Sequence, residues 1–139
     1  MVKVHIPVSL GELVDKLTIL EIKSSMFTDE GKLRNVRREL EQLEYIWQIG
    51  KFDKDLIASE WAQLRAVNSR LWDIEDRKRL KEASASFDEE FIALARSVYF
   101  ENDRRAAIKR TINEKLGSDL VEEKSYSDYR RNGVNTPRI

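Results

Sequence analysis

The chain contains no cysteine and only one histidine, His5, among its 139 residues. Without cysteine, disulfide frameworks and thiolate-based metal or redox sites are excluded. A single histidine excludes metal motifs built on histidine pairs and any mechanism that needs two imidazoles. The sequence also lacks a glycine-rich phosphate loop and a Gly-x-Ser-x-Gly turn. No pattern therefore indicates nucleophilic catalysis, and the residues alone do not decide whether the protein is an enzyme.

Helix-breaking residues and long apolar runs are equally scarce. There are five glycines and two prolines, and both prolines, Pro7 and Pro137, lie near the ends of the sequence. Nothing between them forbids long helices. No apolar run approaches the roughly 20 residues of a membrane span, and the apolar stretch at the N-terminus is too short for a signal peptide. We therefore expect a soluble, cytoplasmic protein that does not associate with membranes.

Charge is abundant but balanced. Charged residues make up 36% of the chain, and 25 basic residues offset 25 acidic ones to give a formal net charge of zero. Non-specific nucleic-acid binding needs a basic surplus on one surface, so it is not expected as the main role. Charges of both signs along amphipathic segments are typical of solvated helix faces.

The hydrophobic pattern predicts an all-α fold, a single domain over residues 1–139. Val2, Val4 and Ile6 alternate in a short extended arm, residues 1–8, which is expected to pack along a helix or to pair with a copy of itself. Residues 9–117 predict an antiparallel bundle of about four helices, and residues 118–139 an irregular tail. The four helices are expected at residues 10–26, 32–49, 53–83 and 87–116.

Capping residues predict where these helices begin and end. Ser9 with Glu12, and Ser86 with Glu89, have the spacing of capping boxes, and Asp53 is a candidate cap for the third helix. Gly50 and Gly117 are expected to end the second and fourth helices. The first helix is apolar on two sides, which is typical of a helix that is central in its bundle or shared with a partner chain.

A polar interruption in the fourth helix is the main functional signal. Asn102, Arg105 and Lys109 occupy three successive turns of a face that is apolar on either side. The apolar face of the third helix likewise continues into Glu75 and Arg79. An antiparallel register brings these two regions to the same level, with Asn68 near Arg105 and Glu75 near Asn102.

Two interpretations of this region remain open. The first is a non-catalytic, self-associating assembly protein, in which these side chains form a buried polar network between the third and fourth helices. The alternative is a bundle that binds, or also acts on, a small anionic ligand such as a phosphate ester, a nucleotide or a dicarboxylate. Neither interpretation needs a cofactor or a metal. The anion site would comprise Arg79, Asn102, Arg105 and Lys109, oriented or paired by Glu21, Glu75 and Asp76.

A minor alternative invokes Mg²⁺. Glu41 and Glu44 on the second helix, with Asp73, Glu75 and Asp76 on the third, offer carboxylates for pyrophosphate hydrolysis of the kind that all-α nucleotide pyrophosphohydrolases perform. Glu41 and Asp73 point away from the apolar faces, however, and the acidic spacing fits that family's pattern poorly.

Five segments carry a resemblance to a known family. They are IPVSLGELVDKLTILEIK, NVRREL, LWDIED, FIALARSVYFENDRRAAIKRTIN and EEKSYSDY, which together extend from Ile6 to Tyr129. In this order they resemble an uncharacterised family of small bacterial proteins known only as a domain of unknown function. The resemblance implies no activity, substrate or cofactor. It does imply that the polar run from Asn102 to Asn113, with Glu75 and Asp76, belongs to a family signature.

Overall fold

A computed structural model describes residues 1–130 and confirms the all-α prediction. Its four helices are α1 (Leu10–Met26), α2 (Glu30–Ile49), α3 (Ala58–Ala83) and α4 (Glu89–Leu116). A short 3-10 turn, Asp55–Ile57, precedes α3, and residues 1–130 contain no strand. Residues 131–139 of the predicted tail lie outside the described residues.

Three of the predicted helix ends agree with the structure. The Ser9 hydroxyl caps α1 by accepting a hydrogen bond from the Glu12 backbone N–H at 3.1 Å. The Glu12 carboxylate does not complete the capping box, because it binds Lys109 on α4 instead. Gly50 ends α2, and Gly117 ends α4 with a left-handed backbone (φ 64°) that glycine adopts without strain.

Two of the predicted caps were misplaced. Ser86 does not cap α4, whose N-cap is Asp88, with its carboxylate accepting from the Phe91 N–H at 3.0 Å. The Ser86 hydroxyl instead shares a hydrogen bond with Ser84. Asp53 accepts from the N–H of Asp55 and so stabilises the 3-10 turn rather than α3 itself. In both cases the residues next to the predicted cap adopt a tight turn first, which delays the start of the helix.

Helix α1 is the centre of the bundle, as its two apolar sides predict. It packs against α2, α3 and α4, whereas among these helices the backbone of α2 lies against α1 alone. Trp47 of α2 reaches α3 through an edge-on contact with Trp61, with ring centroids 5.2 Å apart. Helices α3 and α4 are antiparallel, as ion pairs from Arg70 to Glu101 and from Arg77 to Glu90 require.

The apolar core lies towards the N-terminal end of α1. Val14, Ile57, Leu64 and Ile112 form a completely buried cluster, with Trp47 and other side chains packed around it. Burying such side chains is the main stabilising contribution to a small bundle. Buried apolar side chains continue along α1 at Leu17 and Leu20, but one turn from Val14 the buried polar residue Thr18 lies beside them, and the candidate site begins there. None of the helices within residues 1–130 is long and apolar enough to span a membrane.

Candidate functional site

A buried polar network joins α1 to α3. Asn68, only 5% exposed, donates from its amide to the Asp15 carboxylate at 2.8 Å and to the Thr18 hydroxyl at 3.0 Å. Thr18 in turn donates to the backbone carbonyl of Asp15 at 2.8 Å. Buried polar groups are tolerated when their hydrogen bonds are made, and these are made within the protein. We call Asp15, Thr18 and Asn68, together with Lys109, the buried network.

Lys109 is the cation of the buried network, and protein carboxylates surround it. Its ammonium lies 2.6 Å from Glu12, 3.0 Å from Glu122 of the tail and 3.9 Å from Asp15. Burial disfavours the charged form, but the hydrogen bonds to Glu12 and Glu122 outweigh that effect and raise the pKa of Lys109. Lys109 is therefore a charged residue that the fold itself neutralises.

Arg105, one turn before Lys109, has a different environment. It is half-buried, and its guanidinium donates to the Asn68 side-chain oxygen at a long 3.4 Å. In residues 1–130 it forms no ion pair with a carboxylate. Arg105 thus touches the buried network through one weak hydrogen bond and leaves most of its five donors unused by described residues.

Arg105 forms part of the wall of a cleft between α1, α3 and α4, which we call the helical cleft. Its volume is about 360 Å³, within the usual range for small-molecule sites. Its floor is apolar and its rim is charged. The lining residues are Ile19, Ile22, Lys23, Asn68, Leu71, Trp72, Glu75, Asp76, Arg79 and Arg105.

The C-terminal segment runs back along α4 and forms a second cleft. Tyr129 anchors it, with its ring 4.5 Å from that of Tyr99 and its hydroxyl donating to the Asp103 carboxylate at 2.6 Å. Burial, followed by the bond to Asp103, raises the pKa of Tyr129 to about 12. This tail cleft, of about 570 Å³, is lined by residues that include Asn102 and Arg105. Arg105 therefore belongs to both clefts.

The structure distributes the predicted site residues over four places. Arg79, Arg105, Glu75 and Asp76 line the helical cleft, Asn102 lines the tail cleft, Lys109 lies in the buried network, and Glu21 pairs with Arg65 at 2.6 Å. The predicted register is accurate at Asn68 and Arg105, which share a hydrogen bond. Glu21 and Glu75 bind Arg65 and Lys78 rather than the α4 cations. Anion binding by these residues stays a prediction.

Sequence reasoning missed the α1 side of the network. Gly11, Asp15 and Thr18 are all buried and recur at helical spacing, so a third stripe, small and polar, runs between the two apolar faces of α1. That stripe was a readable signal. Glu122 was not predictable, because the tail has no periodic pattern that would place its side chains.

The part of the chain that the structure describes contains no cluster of side chains that could bind a metal ion. No three side chains of His, Cys, Asp or Glu within residues 1–130 are arranged to hold a metal ion. Asp73, one of the carboxylates considered for Mg²⁺, lies 3.6 Å from Arg77 on the same helix.

Comparison with known proteins places the chain by family alone. No curated protein and no solved structure matches it significantly. A family model, however, matches residues 2–137, from the extended arm into the tail. The match confirms the resemblance to an uncharacterised domain family. The chain belongs to DUF6165, a family of unknown function.

Proposed function

We propose that this domain binds a small anionic ligand in the helical cleft, with Arg105 as the principal anion-binding residue. The observation that carries the proposal is the state of its guanidinium, which is half-buried on the cleft wall and, among the described residues, is held only by the 3.4 Å bond to Asn68. A planar guanidinium forms paired hydrogen bonds with a carboxylate or a phosphate. Arg79 and Lys23 line the same cleft and add positive charge.

The electrostatics of the cleft support an anion. Its lining includes three cations, Lys23, Arg79 and Arg105, and two carboxylates, Glu75 and Asp76, so it carries one net positive charge at neutral pH. The whole chain has a formal net charge of zero, so this excess is local. Lys109 plays no part in the proposal, because Glu12 and Glu122 already neutralise it.

Ligand-induced stabilisation tests the proposal. The protein is heated with inorganic phosphate, a sugar phosphate, a nucleotide or a dicarboxylate, and the melting temperature is recorded. A ligand at 100 times its Kd stabilises the folded state by about 2.7 kcal/mol. We expect at least one of these anions to raise the melting temperature, and we expect Arg105→Met to abolish the increase without unfolding the protein.

Arg37→Met is the matched control, because it removes the same charge from an exposed site on α2 that does not line the cleft. Arg37→Met should show the same ligand-induced increase in melting temperature as the wild-type protein. The proposal would be contradicted if Arg105→Met and Arg37→Met lost the ligand-induced increase in melting temperature equally, or if none of the anions stabilised the wild-type protein.

Self-association is a second candidate, which the extended arm favours. Val2, Val4 and Ile6, which alternate along the arm, are 97%, 79% and 71% exposed, an unusual state for three neighbouring apolar side chains. The family match begins at residue 2, so the arm is part of the family domain. Extended segments of this kind pair with an edge or a groove of another chain, and we propose a second copy as the partner.

Light scattering over a range of protein concentrations tests this second candidate. The wild-type protein should form dimers or larger assemblies, and replacing Val4 and Ile6 by Asp should return it to a monomer. Replacing Lys3 and His5 by Ser alters the opposite side of the arm and should leave assembly intact. A wild-type protein that is monomeric at every concentration rules the candidate out.

A further inference from the structure

The five charged side chains of the helical cleft do not neutralise one another. Within residues 1–130, none of Lys23, Glu75, Asp76, Arg79 and Arg105 forms an ion pair with another member of this set. The one ion pair that any of them makes there joins Glu75 to Lys78 at 3.5 Å, between neighbouring turns of α3. The cleft therefore presents both anion-binding groups and hydrogen-bond acceptors to whatever occupies it.

The floor of the cleft is apolar and includes an indole. Ile19, Ile22 and Leu71 line it together with Trp72, which is half-buried and packs at a tilt against Phe27, with ring centroids 5.8 Å apart. An aromatic face of this kind favours a planar ring through stacking, whatever the ring's detailed chemistry. A small, fully polar anion would leave this floor uncovered.

From this combination we infer that the ligand is a nucleoside monophosphate, an inference that rests on the proposed anion-binding function. The planar base would lie against Trp72, and the phosphate would bind Arg105 with help from Arg79 and Lys23. Asp76 and Glu75 would accept hydrogen bonds from the hydroxyl or amino groups that a nucleoside carries. A volume of about 360 Å³ lies at the small end of the usual range and suits one nucleotide rather than two.

Four kinds of probe separate the parts of such a ligand. Calorimetry on the wild-type protein compares the nucleoside monophosphates AMP, GMP, CMP and UMP with ribose 5-phosphate, with the corresponding nucleosides and with inorganic phosphate. We expect the best nucleotide to bind at least tenfold more tightly than ribose 5-phosphate, which lacks the base, and than its own nucleoside, which lacks the phosphate.

Three variants assign these gains in affinity to residues. Trp72→Leu should bring the affinity for the best nucleotide down to that for ribose 5-phosphate, whereas Trp72→Phe keeps an aromatic ring and should retain most of the difference. Arg105→Met should lower the affinity for the best nucleotide to the affinity for its nucleoside. Circular dichroism checks that each variant is folded, and the comparison of probes on the wild-type protein remains decisive if Trp72→Leu does not fold.

The outcomes distinguish this inference from the proposed function. If ribose 5-phosphate or inorganic phosphate binds as tightly as every nucleotide, the cleft is an anion site but the nucleotide inference is overturned. If none of the anions binds, or if Arg105→Met leaves phosphate affinity unchanged, the proposed function fails and the inference fails with it. Tight binding of a nucleotide that Trp72→Leu leaves intact also overturns the inference.

Discussion

Two cations one helical turn apart have different surroundings in this protein. Lys109 is enclosed by carboxylates from α1 and the tail, whereas within residues 1–130 Arg105 makes one long hydrogen bond, to Asn68, and lines two clefts. In the sequence both belong to the same polar stripe of α4. The difference comes from the partner segments, since Glu12 and Glu122 reach Lys109 and no described carboxylate reaches Arg105.

We expect Lys109→Met to destabilise the fold by about 3 kcal/mol, because removing one partner of a buried ion pair leaves the Asp15 carboxylate without its nearby cation. The adjacent Arg110 provides the matched control. It pairs with Glu123 at an exposed position, so Arg110→Met should change the free energy of unfolding by less than about 1 kcal/mol. Chemical denaturation measures both variants. Similar effects would mean that the buried network contributes no more than a surface ion pair.

Sequence patterns predicted the stripe on α4 but not its division into a structural half and an open half. Helical spacing is a local property, so it showed that Asn102, Arg105 and Lys109 share a face. It also gave an α3–α4 register accurate enough to place Asn68 beside Arg105. The partner of Lys109 is set by α1, which meets α4 through long-range packing that no local period encodes.

At the scale of the elements, the close approach of α1 to α4 depends on Gly11. Its backbone N–H donates to the Asn113 side chain at 2.7 Å, and a Cβ at this position would lie 2.5 Å from the Lys109 carbonyl oxygen. No side chain fits there unless the two helices move apart. This approach also keeps Glu12 and Asp15 within reach of the Lys109 ammonium.

Gly11→Ala should therefore destabilise the protein by about 1–3 kcal/mol, the usual range for overpacking a tight contact. Gly31→Ala is the control, since a Cβ there would first meet the Asp29 carboxylate at 3.4 Å and no backbone atom. In α2 this change should be neutral or stabilising by up to about 1 kcal/mol. Thermal unfolding compares the two. A Gly11 variant as stable as the wild type would show that the helices separate at little cost.

The ends of the helices show why element boundaries are harder to predict than elements. All four helices were predicted from apolar spacing, since that spacing extends over many turns. The caps depend on one or two residues, and Asp88 prevailed over Ser86 because the chain turns tightly at Ser84 before α4 begins. Similarly, the 3-10 turn before α3 takes the hydrogen bond of Asp53, so that Asp53 does not cap α3.

At the scale of the whole molecule, ion pairs between distant segments make stability depend on pH. Glu60 on α3 is bound by Lys115 at the end of α4, with 2.5 Å between the charged atoms. The hydrogen bond from Lys115 lowers the pKa of Glu60 below 4.5, and hydrogen bonds from Lys109 and Lys124 similarly lower the pKa of Glu122. Folding thus favours the ionised form of both carboxyl groups.

The contribution of these two groups to the free energy of unfolding should therefore be complete well above pH 4.5, their ordinary pKa, and should be lost as the pH drops from there through the lowered pKa values. The sign follows because the unfolded chain binds protons first and acid then favours it. Lys109 has the opposite dependence, since its raised pKa gives a contribution that is lost only above pH 10.5. Chemical denaturation at a series of pH values measures both the loss of stability in acid and the loss of stability above pH 10.5.

Glu60→Gln should make the decline in acid shallower, and Lys115→Met should do the same by removing the partner. An acid limb that is equally steep in both variants would place the pH dependence elsewhere in the molecule.

The docked C-terminal segment has a consequence for the timescales on which this surface opens. Apart from the pair of Glu122 with Lys109, it is held by contacts near the surface, such as Arg110 to Glu123 and Tyr129 to Asp103, whereas α4 beneath it is fixed by the core. Local opening of such a segment costs much less free energy than global unfolding. In hydrogen exchange, the amides of residues 119–130 should exchange together and early, while those around Ile112 wait for unfolding of the whole bundle. The tail cleft would then exist only for the fraction of time in which the segment is docked on α4. Each time the segment opens, the side of Arg105 that lines the tail cleft would become exposed to solvent.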